Sequence, residues 1–300
     1  MESIQILAKF QFDLTISKLM IDTPKSRGFR MPGEHEHHAG CWMIFPQRPD
    51  VWGFDPTPAQ QVFARVAETI SRFEPVTICA SRQQLANAKS LVSDSVKVVE
   101  MVTNDAWMRD CGPSFIVNDR GNVSGVDWEF NAWGGLEEGL YFPWDDDNDV
   151  PRRVLEMIGL PRYKSSLVSE GGAIHVDGEG TLITTRSVLL NKNRNPELSQ
   201  QDIEQVFHDY LGIEKTIWLD GEAEDETDGH VDGLCAYVKP GVVMVAWCND
   251  PESEEYATYK YVYDQLAAVT DAKGRKLEII KLPLVDLPPD QATFYSPGNR

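Results

Sequence analysis

Three loops rich in polar residues and glycine hold the side chains best suited to chemistry. Asp225-Glu226-Thr227-Asp228-Gly229-His230-Val231-Asp232-Gly233 is the most informative. His230 and Asp232 lie two apart, so an extended backbone projects both from one face. A histidine beside a carboxylate suits acid–base work or metal binding; the competing reading is a solvated acidic loop. In Asn104–Pro113, Asp110 follows Trp107 and joins a buried charge to an aromatic wall, unless it only pairs with Arg109 at a turn. Ser169–His175 sets Glu170 beside two glycines, the alternative being a tight turn into a strand. Glycine lets backbone approach a ligand closely, and loops at strand ends are where sites usually form.

The elements that would position these loops alternate between strand and helix. Thr57-Pro58-Ala59-Gln60 reads as a capping box opening a helix whose apolar stripe is Val62, Phe63, Val66, Ala67, Ile70 and Phe73, with Pro75 as its end. Val76–Cys79 follows as a buried strand, Ser81 as the cap of a helix reaching Leu91, and Val96–Met101 as the next strand. Phe115–Val117 and Val123–Trp128 flank a hairpin turn at Asp119-Arg120-Gly121-Asn122. A helix over Val150–Ile158 stops at Gly159 and Pro161. Strands Ile174–Val176 and Leu182–Thr184 surround Gly178-Glu179-Gly180. Ser199 and Asp202 open a helix that Gly212 ends, and Ile217–Leu219 follows. Leu234–Val238 and Val242–Ala246 form a second hairpin, before a helix over Ser253–Val269 and a strand over Leu277–Leu282. The recurring unit is strand, strand, helix, strand, which predicts an α/β or α+β fold of several small sheets.

Composition narrows the function classes. The chain has 300 residues, 42% hydrophobic and 25% charged, which is globular. With 28 basic and 47 acidic residues its formal net charge is −19, so phosphate backbones are repelled and no nucleic-acid partner is expected. Five scattered cysteines without a CxxC pair predict a reducing compartment. Cys41, Cys79, Cys235 and Cys248 read as core residues. No run approaches the ~18 apolar residues of a membrane span, and charges interrupt Met1–Met20, so no membrane association is expected and the cytoplasm is the expected location. Residues 1–27 read as an N-terminal extension and 28–300 as a single domain. His35-Glu36-His37-His38 looks like a metal cluster but lacks HExxH spacing, which favours a surface or structural segment. There is no P-loop, dinucleotide fingerprint or GxSxG elbow.

Taken together, Phe29–Glu34, His38–Met43, Asn104–Pro113, Phe130–Gly135, Glu170–Gly180, Leu190–Pro196 and Asp228–Asp232 resemble the agmatine deiminase family of the guanidino-group-modifying (pentein) superfamily. One difference is Asp228, where relatives commonly have Asn. The resemblance implies a pentein-type α/β propeller of pseudo-repeated ββαβ modules with five-fold pseudo-symmetry. It implies hydrolysis of agmatine to N-carbamoylputrescine and ammonia, a step of polyamine synthesis, with no metal or organic cofactor. Carried over onto this chain, Asp110, Glu170 and Asp232 hold the guanidinium, His230 is the acid–base, and Trp107 lines the pocket.

The resemblance also implies a nucleophilic cysteine in a glycine-rich segment ending His-Cys-hydrophobic-Thr, a segment not found in the 300 residues. Cys111, next to Asp110, does not match it, because relatives can carry Ser there. The expectation is therefore a fold incomplete at its C-terminal module, and a 300-residue chain that is inactive as it stands and able to self-associate into a homo-oligomer. The competing readings are a peptidylarginine deiminase and a non-catalytic protein that binds guanidinium or polyamine cations.

Overall fold

Amphipathic helices can bury their apolar stripes only against sheets, and here each longer helix crosses back over its own small sheet. A computed structural model describes residues 22–220 and 225–284. The short strand β1 (Phe29–Arg30) precedes β2 (Cys41–Ile44), α1 (Thr57–Ile70), β3 (Val76–Ala80), α2 (Leu85–Leu91) and β4 (Val96–Glu100). β2, β3 and β4 form a parallel sheet, with Cys41 opposite Val76 and Val76 opposite Val96. Ala67 of α1 and Ala88 of α2 pack on Ile78, Ala80 and Val96.

Three units of one shape follow. In the first, α3 (Met108–Cys111) leads into β5 (Ser114–Asn118) and β6 (Val123–Glu129). The one-turn helices α4 (Gly135–Glu138) and α5 (Asp145–Asn148) then precede α6 (Val150–Ile158) and β7 (Arg162–Val168). In the second, β8 (His175–Val176), β9 (Thr181–Thr185), α7 (Arg186–Leu189) and α8 (Gln200–Leu211) lead to β10 (Lys215–Leu219). In the third, β11 (Cys235–Lys239) and β12 (Val242–Trp247) precede α9 (Glu254–Ala267) and β13 (Glu278–Pro283). In every unit the first two strands pair antiparallel and the third returns parallel to the second. Among the described residues the sheet orders are β1-β5-β6-β7, β10-β9-β8, β11-β12-β13 and β2-β3-β4.

Several expected boundaries move for identifiable reasons. No capping box opens α1: the Thr57 amide donates to the Asp55 side chain at 3.0 Å, while the buried Gln60 donates to the Pro46 carbonyl at 2.8 Å. α1 ends at Ile70, and a turn rather than Pro75 stops it. Ser81 does not cap α2, which starts at Leu85 after a turn closed by Gln84 N–H to Ser81 O. The Ser199/Asp202 capping box of α8 is present, and both hairpins form at the expected turns. β7 has no clear apolar signature because Arg162 and Lys164 lie within it; they pair with the buried Asp127 of β6 at 2.7 and 3.2 Å. Residues 1–21 of the expected extension lie outside the described residues; Lys25–Arg27 forms one helical turn, with Lys25 ion-paired to Glu214 at 2.5 Å.

α8 holds the central core together. Ile203, Phe207 and Leu211 are fully buried with Ile116, Val126, Leu167 and Leu182. Phe207→Ala is expected to lower unfolding free energy by about 3–5 kcal/mol. Phe73→Ala, at a ring 86% exposed, should change it by less than about 0.5 kcal/mol. Urea unfolding followed by tryptophan fluorescence checks both values.

Candidate functional site

The first site loop is fixed from behind by buried carboxylates. Asp147 accepts the backbone N–H groups of Asn104 (2.7 Å) and Asp105 (3.0 Å), and burial pushes its carboxyl up to about 7. Asp105 in turn accepts the indole N–H groups of Trp52 (2.8 Å) and Trp107 (2.6 Å). The two indoles stack 5.4 Å apart, and Trp133 meets Trp107 edge-on at 5.3 Å. Trp107 is therefore held at both its edge and its face before α3 turns Asp110 inward.

The second loop reaches Asp110 because it has no side chains in the way. The Gly172 N–H donates to Asp110 Oδ1 at 2.9 Å. A Cβ on Gly171 would lie 1.9 Å from the Arg109 carbonyl oxygen. A Cβ on Gly172 would lie 2.4 Å from His230 Nδ1, 2.8 Å from Asp110 Oδ1 and 2.9 Å from Asp232 Oδ2. These contacts are sub-van der Waals, so only glycine fits at either position. They also show that Asp110, His230 and Asp232 surround one point.

The third loop turns through Asp228, a non-glycine residue at φ 64°, a conformation that Asn and Asp tolerate best. The Thr185 hydroxyl donates to the Gly229 carbonyl at 2.8 Å, and the His230 N–H donates to Thr227 Oγ1 at 3.1 Å. His230 then enters the pocket with Nδ1 3.7 Å from Asp110 Oδ1 and Nε2 3.6 Å from Glu170 Oε2. Both separations exceed a hydrogen bond. Glu170 Oε2 and His230 Nε2 are buried with no hydrogen-bond partner among the described residues, so a ligand bearing N–H groups has a carboxylate oxygen to meet.

Burial and charge oppose each other in setting the protonation states. Burial raises the Asp110 carboxyl from 3.8 to about 6, against the pull of His230. Burial disfavours the His230 cation, but Glu170, Asp110 and Asp232 outweigh it and raise the imidazole above its ordinary value. Burial likewise disfavours ionised Glu170, yet His230 and Arg194 hold it below the usual carboxylate range. Arg194 Nε donates to Glu170 Oε1 at 2.6 Å, and neither side chain exposes any surface. Its Nη1 donates to Asp228 at 3.0 Å and to Asn193 at 2.7 Å.

The structure thus brings together Asp110, Glu170, His230 and Asp232 from three loops, with Trp107 packed just before Asp110. Arg109 does reach an aspartate, with Nε 3.6 Å from Asp232 Oδ2, and also pairs with Glu34. Glu34 lies 3.4 Å from His175, and the hydrogen bond to His175 together with the Arg109 charge holds its carboxyl down at about 2. Sequence reasoning assigned no role to Arg194, Glu34, Asp105 or Asp147. Arg194 stood inside the polar segment Leu190–Pro196, and Asp147 ends the acidic run Asp145–Asp147, whose spacing carries no site signal.

The cysteines divide differently from expectation. Cys79 and Cys235 are buried, with thiols pushed up to about 12 by burial, and burial also raises Cys111 well above its ordinary value. Cys41, the first residue of β2, and Cys248, which follows β12, are only half-buried. The histidine run does not converge: Glu36 turns to Arg30 at 2.7 Å, while His38 alone turns to Glu74 at 3.2 Å.

Arg194→Met should leave Glu170 as a buried carboxylate without its cation. The expected loss is about 3–5 kcal/mol of stability, read as a fall in the urea midpoint. The Glu170→Gln/Arg194→Met pair should lose less than the sum of the two single changes, because the variants share one interaction.

The comparisons with known proteins agree on one family. Residues 30–296 match the model of the Porphyromonas-type peptidyl-arginine deiminase family. The agmatine deiminase of Pseudomonas aeruginosa is 53% identical over 265 residues, 87% of this chain and 72% of that protein. That of Ectopseudomonas mendocina is 50% identical, over 87% of this chain and 72% of its own. The solved agmatine deiminase of Enterococcus faecalis superposes with a TM-score of 0.85 at 48% identity, covering 87% of this chain and 72% of that one. The strand–strand–helix–strand units are therefore those of a pentein-type α/β propeller, and the chain belongs to the agmatine deiminases within the Porphyromonas-type peptidyl-arginine deiminase family.

Proposed function

We propose that this protein acts on agmatine, hydrolysing it with water to N-carbamoylputrescine and ammonia, a step toward putrescine. The observation that carries the reading is the meeting of Asp110, Glu170, His230 and Asp232 around Gly172, with the buried Glu170 Oε2 unpaired among the described residues. A guanidinium is a planar fork of N–H donors, and carboxylates bind it bidentately. Each charge-assisted bond contributes roughly 1.5–3 kcal/mol. Asp110 and Asp232 clamp the fork, Glu170 holds its third edge, and Trp107 lines the wall. Free agmatine rather than a peptide's arginine is favoured by the identities of about half to agmatine deiminases.

His230 supplies the proton transfers. Its raised imidazole gives a proton to departing ammonia and takes one from the attacking water, steps worth about 10²–10⁴ in rate. A guanidinium carbon is a poor electrophile, so a thiolate that splits the reaction into two steps is the expected nucleophile. Burial raises Cys41, Cys79, Cys111 and Cys235 away from the thiolate that this role needs. The described residues supply binding and proton transfer. The 300-residue chain is expected to bind agmatine without appreciable ammonia release. Ammonia production abolished by Cys111→Ala would overturn that exclusion.

Asp110 gives the binding a pH signature. Its folded carboxyl titrates near 6, above the ordinary 3.8, so its stabilising contribution is full below about 3.8 and is lost as pH rises through about 6. Ionised Asp110 is what a guanidinium needs. Agmatine affinity, measured by calorimetry, should therefore fall as pH drops through about 6, with proton release on binding near that pH. In Asp110→Asn the affinity should be lower throughout, and this pH step should vanish. Equal agmatine affinity for wild type and Asp110→Asn would remove the clamp from the proposal.

A further inference from the structure

The aligned starts of β2 and β3 gather a second group of ligating side chains, which the reaction above does not use. Cys41 opens β2, and its N–H donates to the Pro75 carbonyl at 2.8 Å, which fixes its Sγ beside Glu74. The approach is close because Gly40 has no side chain; a Cβ there would lie 2.8 Å from the Pro75 oxygen. Cys41 Sγ donates to Glu74 Oε1 at 2.9 Å, and His38 Nδ1 lies 3.2 Å from Glu74 Oε2. One ligand atom from each of His38, Cys41 and Glu74 falls within 4.8 Å of the other two.

The far side of the imidazole fixes its tautomer. His38 Nε2 lies 2.7 Å from the Glu34 carbonyl oxygen, which can only accept, so Nε2 carries the proton. In the neutral ring Nδ1 then aims a lone pair at the Glu74 carboxylate. The lone pair and the carboxylate oxygen face each other there, a contact that either a second ring proton or a bound cation satisfies. An N–H held by a carbonyl on one side and a free nitrogen on the other is the arrangement typical of metal-ligating histidine.

We propose that His38, Cys41 and Glu74 form a binding site for a thiophilic divalent cation of the zinc class, separate from the guanidinium pocket. Tetrahedral zinc with these donors needs ligand atoms roughly 3.3–3.6 Å apart. Glu74 Oε1 lies 2.9 Å from Cys41 Sγ and 3.4 Å from His38 Nδ1, and Sγ and Nδ1 lie within 4.8 Å of each other, so closing on one ion widens the first contact and draws the sulfur and the imidazole together. His38 is 47% exposed at its side chain, which leaves the fourth position to solvent. Binding exchanges one proton for the metal: the Cys41 S–H bond breaks, the S–Zn bond forms, and the proton leaves to solvent. Glu74 is the neighbouring base that receives it first. The cation would tie the start of β2 to the end of the β3 approach and, through the Nε2–Glu34 bond, steady the segment that carries Glu34 to Arg109 and His175.

Cobalt(II) is the probe, added to the full chain after treatment with chelator. One equivalent should bind per chain with a near-ultraviolet thiolate-to-cobalt charge-transfer band, and zinc should displace it. Cys41→Ser should abolish the band. His38→Ala and Glu74→Gln should weaken affinity at least by the roughly 10–100-fold that loss of a supporting partner costs. His230→Ala should keep the band. Absence of binding, binding without the band, or a band that survives Cys41→Ser and disappears in His230→Ala would each overturn the assignment. If Cys41→Ser does not fold, as judged by circular dichroism, Glu74→Gln decides: unchanged cobalt affinity in that variant rejects the site.

Discussion

Burying a carboxylate costs several kcal/mol unless a cation is buried with it. Glu170 meets that condition through Arg194, 2.6 Å away, with neither side chain in contact with solvent. The pair lets a second carboxylate, Asp110, and the imidazole of His230 sit close by without collapse of the loops. Arg194 also ties Asp228, so one guanidinium joins the second site loop to the third. A pocket built to receive a guanidinium is thus held in shape by another guanidinium.

The same economy of backbone runs through the other loops. Gly171 and Gly172 permit an approach that any Cβ would block by an ångström or more, and the Gly172 N–H becomes a ligand of Asp110. Asp147 and Asp105 do for the first loop what Arg194 does for the second: they satisfy otherwise unpaired N–H groups and fix the Trp107 indole. Each of these supports is buried and polar, so each is sensitive to the loss of a single partner. Substrate charge and local protonation are coupled here, since the clamp works best with Asp110 ionised and burial holds its proton on up to about pH 6.

Sheet architecture explains why the site residues come from distant stretches of chain. Each ββαβ unit presents a loop at the end of a strand, and packing of the units brings those loops together. The contacts between Gly171–Ala173 and both α3 and Val231–Gly233 are where the units meet. The units share little sequence. Their common shape follows from the same alternation of hairpin, amphipathic helix and parallel return strand.

The sequence by itself determined the repeat, the hairpin turns, the capping box of α8 and the glycine stop of α6, because each depends on residues adjacent along the chain. The motif residues Asp110, Glu170, His230 and Asp232 were legible as polar groups in glycine-bearing loops. The true start of α1, the strand β7 and the roles of Arg194 and Asp147 were not. Gln60 could serve a cap or a distant carbonyl, and it took Pro46 to decide. Arg162 and Lys164 interrupt any apolar strand signal in β7, and only their pairing with the buried Asp127 accounts for them. Arg194 read as one more charge in a polar segment until folding carried it 24 residues back to Glu170. Tertiary structure alone decided these, because the energy of a charge or amide depends on its burial and its partner, and neither is a property of neighbouring residues.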